Sequence, residues 1–87
     1  MRFRVLDTFA SDYRRLPKQI QRRFDKALQF FEQNPRHPSV HAKRIQGTRD
    51  IWEGRVTRGY RFTFNWEGDI VTLRRIGTHD LLKKEAG

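Results

Sequence analysis

Eighty-seven residues suffice for one domain with one modest core and are too few for a cofactor domain joined to a substrate domain, so a single site must carry the function. With 36% hydrophobic and 13% aromatic residues beside 33% charged ones, the chain has material for a packed core; with no cysteine, it has neither disulfides nor thiolate metal sites. A formal net charge of +9 attracts polyanions, whether nucleic acid, acidic membrane or an acidic protein, although a solvated basic surface is the plainest reading of such a balance.

Met1 to Ala10 mixes charged with apolar residues, so neither a signal peptide nor a membrane span is expected and the cytoplasm is the expected compartment. Within that stretch Arg2 to Val5 alternates as a short strand would, with Phe3 and Val5 on one side. Thr8 offers an N-cap for a short helix whose stripe is Phe9, Tyr13 and Leu16. Pro17 suits the first turn of a second helix, in which Ile20, Phe24, Ala27, Leu28 and Phe31 share a face; Pro35 and Pro38 end it near Asn34. His37 and His41 have the spacing of half a zinc site, but Pro38 between them argues against one helical face, so no metal is expected and both are read as incidental.

From Val40 the pattern changes to period two, in four stretches: Ala42 to Gln46, Ile51 to Val56, Tyr60 to Trp66 and Ile70 to Ile76. The expected fold is therefore α+β, one domain over residues 1–87: a short N-terminal strand, two helices, then an antiparallel meander of about four strands with the helices on one face. Lys83 to Gly87 reads as a loose tail. A two-residue Glu67-Gly68 loop pairs Phe64 with Val71, Phe62 with Leu73 and Arg61 with Arg74. A three-residue loop Thr57-Arg58-Gly59, with Gly59 left-handed, pairs Val56 with Tyr60 and Arg55 with Arg61; the two-residue alternative would set Arg55 against Phe62. One face then carries Trp52, Val56, Phe62, Phe64, Val71 and Leu73, and the other Glu53, Arg55, Arg61, Thr63, Thr72 and Arg74.

Like charges directly opposed across strands are destabilising, so a row of Arg55, Arg61 and Arg74 points to an anion on that face. Guanidinium forks match phosphate oxygens and suit a scissile phosphodiester; an ordinary basic surface, or pairing with Glu53, is the competing explanation. Just past the row, at the end of the last strand, comes His79, whose imidazole is suited to proton transfer near neutral pH.

The runs Ile51-Trp52-Glu53-Gly54-Arg55-Val56, Tyr60-Arg61-Phe62-Thr63-Phe64 and Arg75-Ile76-Gly77-Thr78-His79-Asp80 resemble the C-terminal half of the RelE/ParE superfamily of bacterial toxins, and the Gly-Thr-His ending resembles its YafQ-like branch. The order of elements agrees over nearly the whole chain, while the motifs lie between Ile51 and Asp80. The resemblance implies a RelE-like fold and an endoribonuclease, independent of metal or other cofactor, that cleaves mRNA in the ribosomal A site and is held inactive by a cognate antitoxin. It implies catalytic roles for Arg61, Arg55 and His79 and matches Lys43 and Arg44 to a variable polar strand position; these two, with Arg58, Arg74 and Arg75, are read as RNA contacts, and Glu53, on the arginine face, or Asp80, beside His79, as base or orienting group. The aromatic that often follows near the C-terminus is replaced by Lys83 to Glu85, so the resemblance supplies no residue for stacking on a base. An acidic antitoxin suits the +9 charge. Two other classes share the scaffold: a ParE-like gyrase inhibitor, for which His79 is dispensable, and a non-catalytic RNA or ribosome binder, for which the basic face suffices.

Overall fold

Two helices and a five-stranded sheet make up residues 1–80, which the computed structural model describes; the expectations that fall on Lys83 to Gly87 lie outside the described residues. In chain order the elements are β1 (Arg2–Val5), α1 (Asp7–Arg15), α2 (Lys18–Gln33), β2 (Lys43–Arg44), β3 (Ile51–Arg55), β4 (Tyr60–Glu67) and β5 (Ile70–Thr78). The sheet runs β1-β5-β4-β3-β2, with β1 parallel to β5 and every other pair antiparallel. The α+β architecture is the expected one, with both helices packed on one face.

The helices follow their apolar stripes. α1 buries Phe9 and half-buries Tyr13 and Leu16; α2 buries Phe24, Ala27 and Phe31. Their rings meet the sheet edge-on, Phe24 against Phe62 at 5.2 Å and Phe31 against Phe64 at 5.1 Å between centroids, a geometry favoured by the ring quadrupole. Thr8 does not cap α1, which begins at Asp7 behind Leu6; its hydroxyl donates to the Arg74 carbonyl instead (2.9 Å). Pro17 stands one position earlier than expected, as the N-cap of α2, where its carbonyl accepts from the Ile20 and Gln21 amides. On β1 only Phe3 packs against the core, while Val5 is exposed at the sheet edge.

The β3–β4 register is as expected, with Arg55 opposite Arg61 and the Val56 amide donating to Tyr60. Gly59, however, is not left-handed: the turn is closed by the Thr57 hydroxyl, which accepts the Gly59 amide at 3.3 Å. The β4–β5 register differs from expectation. The loop is Gly68-Asp69, so Glu67 faces Ile70, Trp66 faces Val71 and Phe64 faces Leu73. Gly68, at φ +59°, sits at the first loop position, where a type II′ turn demands glycine. A bulge at Arg74 then shifts the pairing once more, so that Thr63 faces Arg75, Phe62 faces Ile76 and Arg61 faces Gly77. Both shifts keep apolar side chains together on the core face, where Phe62, Phe64, Val71, Leu73 and Ile76 are buried. The price is the arginine row, which shrinks from three members to the Arg55–Arg61 pair.

β1 covers β5 only as far as Leu73, which would leave the second half of β5 with an open edge. α1 closes it. Asp12 accepts the Ile76 amide at 3.2 Å and both arms of the Arg75 guanidinium at 2.7 and 3.1 Å. This carboxylate lies on the apolar stripe of α1, three residues after Phe9, and its side chain is only 9% exposed. The strand end that carries His79 is thereby fastened to the helix layer.

Candidate active site

On the face of the sheet away from the helices, and around its β2 edge, a cleft of about 350 Å³ is lined by His41, Ala42, Lys43, Glu53, Arg55, Arg61 and His79. Strand alternation sends Glu53 and Arg55 to the same side of β3, and the β3–β4 register sets Arg61 beside Arg55. His79 arrives from the residue after β5. Three of the residues read from sequence as catalytic therefore share one cleft, together with Lys43 and Glu53.

Arg61 is fixed by backbone. Its Nη1 donates to the carbonyls of Thr57, Arg58 and Tyr60, all in or beside the β3–β4 turn. Its Nε and Nη2 meet no protein acceptor among the described residues, so one side of the fork is anchored and the other is presented to the cleft. A pre-oriented guanidinium loses less freedom on binding an oxyanion than a mobile one. Glu53, with 13% of its side chain exposed, lies opposite Lys43 in the β2–β3 register and 3.4 Å from its ammonium.

The residue that sequence reasoning set aside is His41. It lines the cleft and has φ +50°, the sole non-glycine residue at positive φ among the described residues. Histidine tolerates this left-handed conformation better than most side chains, and it costs about 1–2 kcal/mol. The kink turns the chain from the Pro35–Ser39 segment onto the sheet edge, where the Val40 carbonyl accepts the Arg55 amide at 2.6 Å. A histidine two residues after Ser39 and just ahead of Lys43 gave no periodic signal, because it belongs to a turn.

Other sequence candidates lie elsewhere. Arg44 is paired opposite Trp52, on the helix side of β2. Arg74 donates to Asn65 Oδ1 at 2.9 Å, and Arg75 is engaged with Asp12. Arg58 stands in the β3–β4 turn, and Asp80 is exposed next to His79 without lining the cleft. Among the described residues no three His, Cys, Asp or Glu side chains gather as a metal site, and no helix is long and apolar enough to cross a membrane.

No protein-family model matches the sequence, and no curated protein is significantly similar to it. Solved structures are similar in fold. YafQ from Escherichia coli superposes with a TM-score of 0.78 at 14% identity, covering 94% of this chain and 98% of that one. RelE in the RelB–RelE antitoxin–toxin complex from Methanococcus jannaschii gives 0.77 at 18% identity, covering 97% and 99%. A YoeB/ParE toxin from Agrobacterium tumefaciens gives 0.76 at 15% identity, covering 91% and 99%. Near-complete superposition in both directions, on a sheet whose order and helix placement are those described above, shows that this protein has the fold of the RelE/ParE toxin superfamily.

Proposed function

We propose that the protein is the toxin of a toxin–antitoxin pair and cleaves mRNA in the ribosomal A site without a metal ion. The observation that carries this reading is the single cleft in which a backbone-anchored Arg61, Arg55, His41 and His79 converge. Two guanidinium groups beside two imidazoles supply what phosphodiester cleavage by an internal nucleophile requires. The ribose 2′-oxygen attacks its own 3′-phosphorus and gives up its proton to His41. The bond to the 5′-oxygen breaks, and His79 protonates that oxygen. The products are a 2′,3′-cyclic phosphate and a 5′-hydroxyl. Arg55 and Arg61 stabilise the charge that develops on the non-bridging oxygens, where loss of one such donor is worth about 10²–10³ in rate. Lys43 and Arg58 contact flanking phosphates, with Arg44 and Arg74 further out. Glu53 orients Lys43, Asp80 orients His79, and Arg75, held by Asp12, positions the strand end.

In this reading the protein acts in the cytoplasm, and its partner is an acidic antitoxin lying across the basic face. A net charge of +9 favours such a partner, and a RelB–RelE complex is among the structures of the same fold. The test is 5′-end mapping of mRNA in a purified translation system. Cleavage at ribosome-positioned codons that falls by orders of magnitude in His79→Ala and Arg61→Ala supports the reading. Intact mRNA with the wild-type protein refutes it, and inhibition of gyrase supercoiling would then put the ParE-like alternative in its place.

A further inference from the structure

A second hollow, of about 510 Å³, opens between α2 and the β3–β4 turn, and it shares His41 and Arg55 with the cleft just described. Its walls carry Arg23 and Lys26 from α2, three residues apart and so neighbours on one helical face, and Arg58 from the turn. Phe30 forms part of its floor, one ring face stacked on His37 at 4.4 Å and Lys26 Nζ 5.8 Å from its centroid. Among the described residues no carboxylate lines the hollow. Among the described residues, Arg23, Lys26, Arg55 and Arg58 take part in no ion pair.

Four cations around one groove repel one another, and none of the described residues pairs with them to offset that repulsion. The groove moreover adjoins a cleft suited to a phosphodiester, because Arg55 and His41 line both. One polyanion can run through the two without leaving the positive field. Basic walls that track a backbone hold single-stranded nucleic acid without reading its sequence, and Phe30, already stacked on His37, lends this groove an apolar floor.

We propose that this groove is a second subsite for the RNA backbone, in which Arg23 and Lys26 hold phosphates flanking the one in the cleft. The inference rests on the nuclease reading for its choice of ligand, and it adds a length requirement: RNA spanning both hollows binds more tightly than RNA filling the cleft alone.

The test uses the full chain and fluorescently labelled, fully 2′-O-methylated single-stranded RNA, which offers no 2′-hydroxyl nucleophile, as a trinucleotide and as a decamer, with polarisation read over a salt series. The wild type should bind the decamer several-fold more tightly than the trinucleotide. Arg23→Gln with Lys26→Gln should shrink that advantage and reduce the log–log salt slope for the decamer by about 1.4, two phosphate contacts at about 0.7 each for a single strand. Binding of the trinucleotide should not change. Arg14→Gln with Arg15→Gln removes the same net charge from the end of α1 and should leave both probes unaffected. Equal losses in the two double variants would overturn the proposal, since net charge alone would then account for binding. An unchanged decamer slope would overturn it too; if the Arg23/Lys26 variant then lost affinity for a poly-glutamate peptide, read as a third probe, the groove would be a protein-docking surface instead. Because the probe cannot be cleaved, groove binding is measured whether or not the protein proves to be a nuclease.

Discussion

Asp12→Ala removes one carboxylate that serves two partners. Truncating one member of a buried ion pair costs about 3–5 kcal/mol, and leaving a buried amide without an acceptor about 1–3 kcal/mol. The two losses overlap, and the Arg75 side chain keeps 33% of its surface in solvent, so its guanidinium can rehydrate. The lower end applies, about 3 kcal/mol in all. For a domain of this size each kcal/mol lowers the melting temperature by about 4–8 °C, so the variant should melt roughly 12–24 °C below the wild type. Asp12→Asn keeps an oxygen for the Ile76 amide and loses the charge, and should fall near half that. Thermal unfolding followed by circular dichroism gives the magnitude, and amide hydrogen exchange at Ile76 locates it. An Asp12→Ala variant melting within about 4 °C of the wild type, or one with unchanged protection at Ile76, would refute the assignment of Asp12 as the clamp on β5.

Three further outcomes are expected. Gly54 lies opposite Phe62, and a methyl there would overlap the edge of that fully buried ring, so Gly54→Ala should destabilise by about 1–3 kcal/mol in urea unfolding. Arg61→Lys replaces a fork that is bound on one side and presented on the other by a single ammonium; the protein should fold normally while mRNA cleavage falls about 10²-fold, and retained cleavage would show that the anchored fork is not needed. Burial, and then the hydrogen bond to Asp25, raise the Tyr13 hydroxyl above its ordinary pKa of 10.0. The folded state thus favours the protonated phenol, a contribution present below the unfolded pKa and lost as pH rises through the folded one. Urea midpoints from about pH 9 to 11 should show a smaller alkaline loss in Tyr13→Phe than in the wild type.

Much of the fold could be read from local pattern because each helix carries one stripe that can be buried only one way. The β3–β4 register could be read as well, since the alternative placed Arg55 against Phe62. The β4–β5 register could not. Pairing Phe64 with Val71 or with Leu73 is apolar either way, and the bulge at Arg74 has no glycine to announce it. The same ambiguity produced the expected opposition of Arg61 and Arg74, which the structure replaces with Arg61 and Gly77. His41 escaped notice because its place in the cleft depends on a left-handed turn rather than on strand or helix spacing. Asp12 did leave a trace: a carboxylate on the apolar stripe of α1 needs donors when it is buried, and Arg75 in the closing motif, with the Ile76 amide, supplies them.

The parallel pairing of β1 with β5 gives this small protein a built-in order of events. β1, the earliest of the described strands in sequence, lies beside β5, the latest of them, Phe3 next to Val71, and has no other neighbour in the sheet among the described residues. Such a contact closes a long loop, whose entropy must be lost before the pairing rewards it, so it is expected to form late. A nascent chain lacking β5 has neither the seat for its N-terminus nor the strand that delivers His79. The proposed site and the closed sheet therefore come into being together, once β5 is in place to seat β1 and to deliver His79.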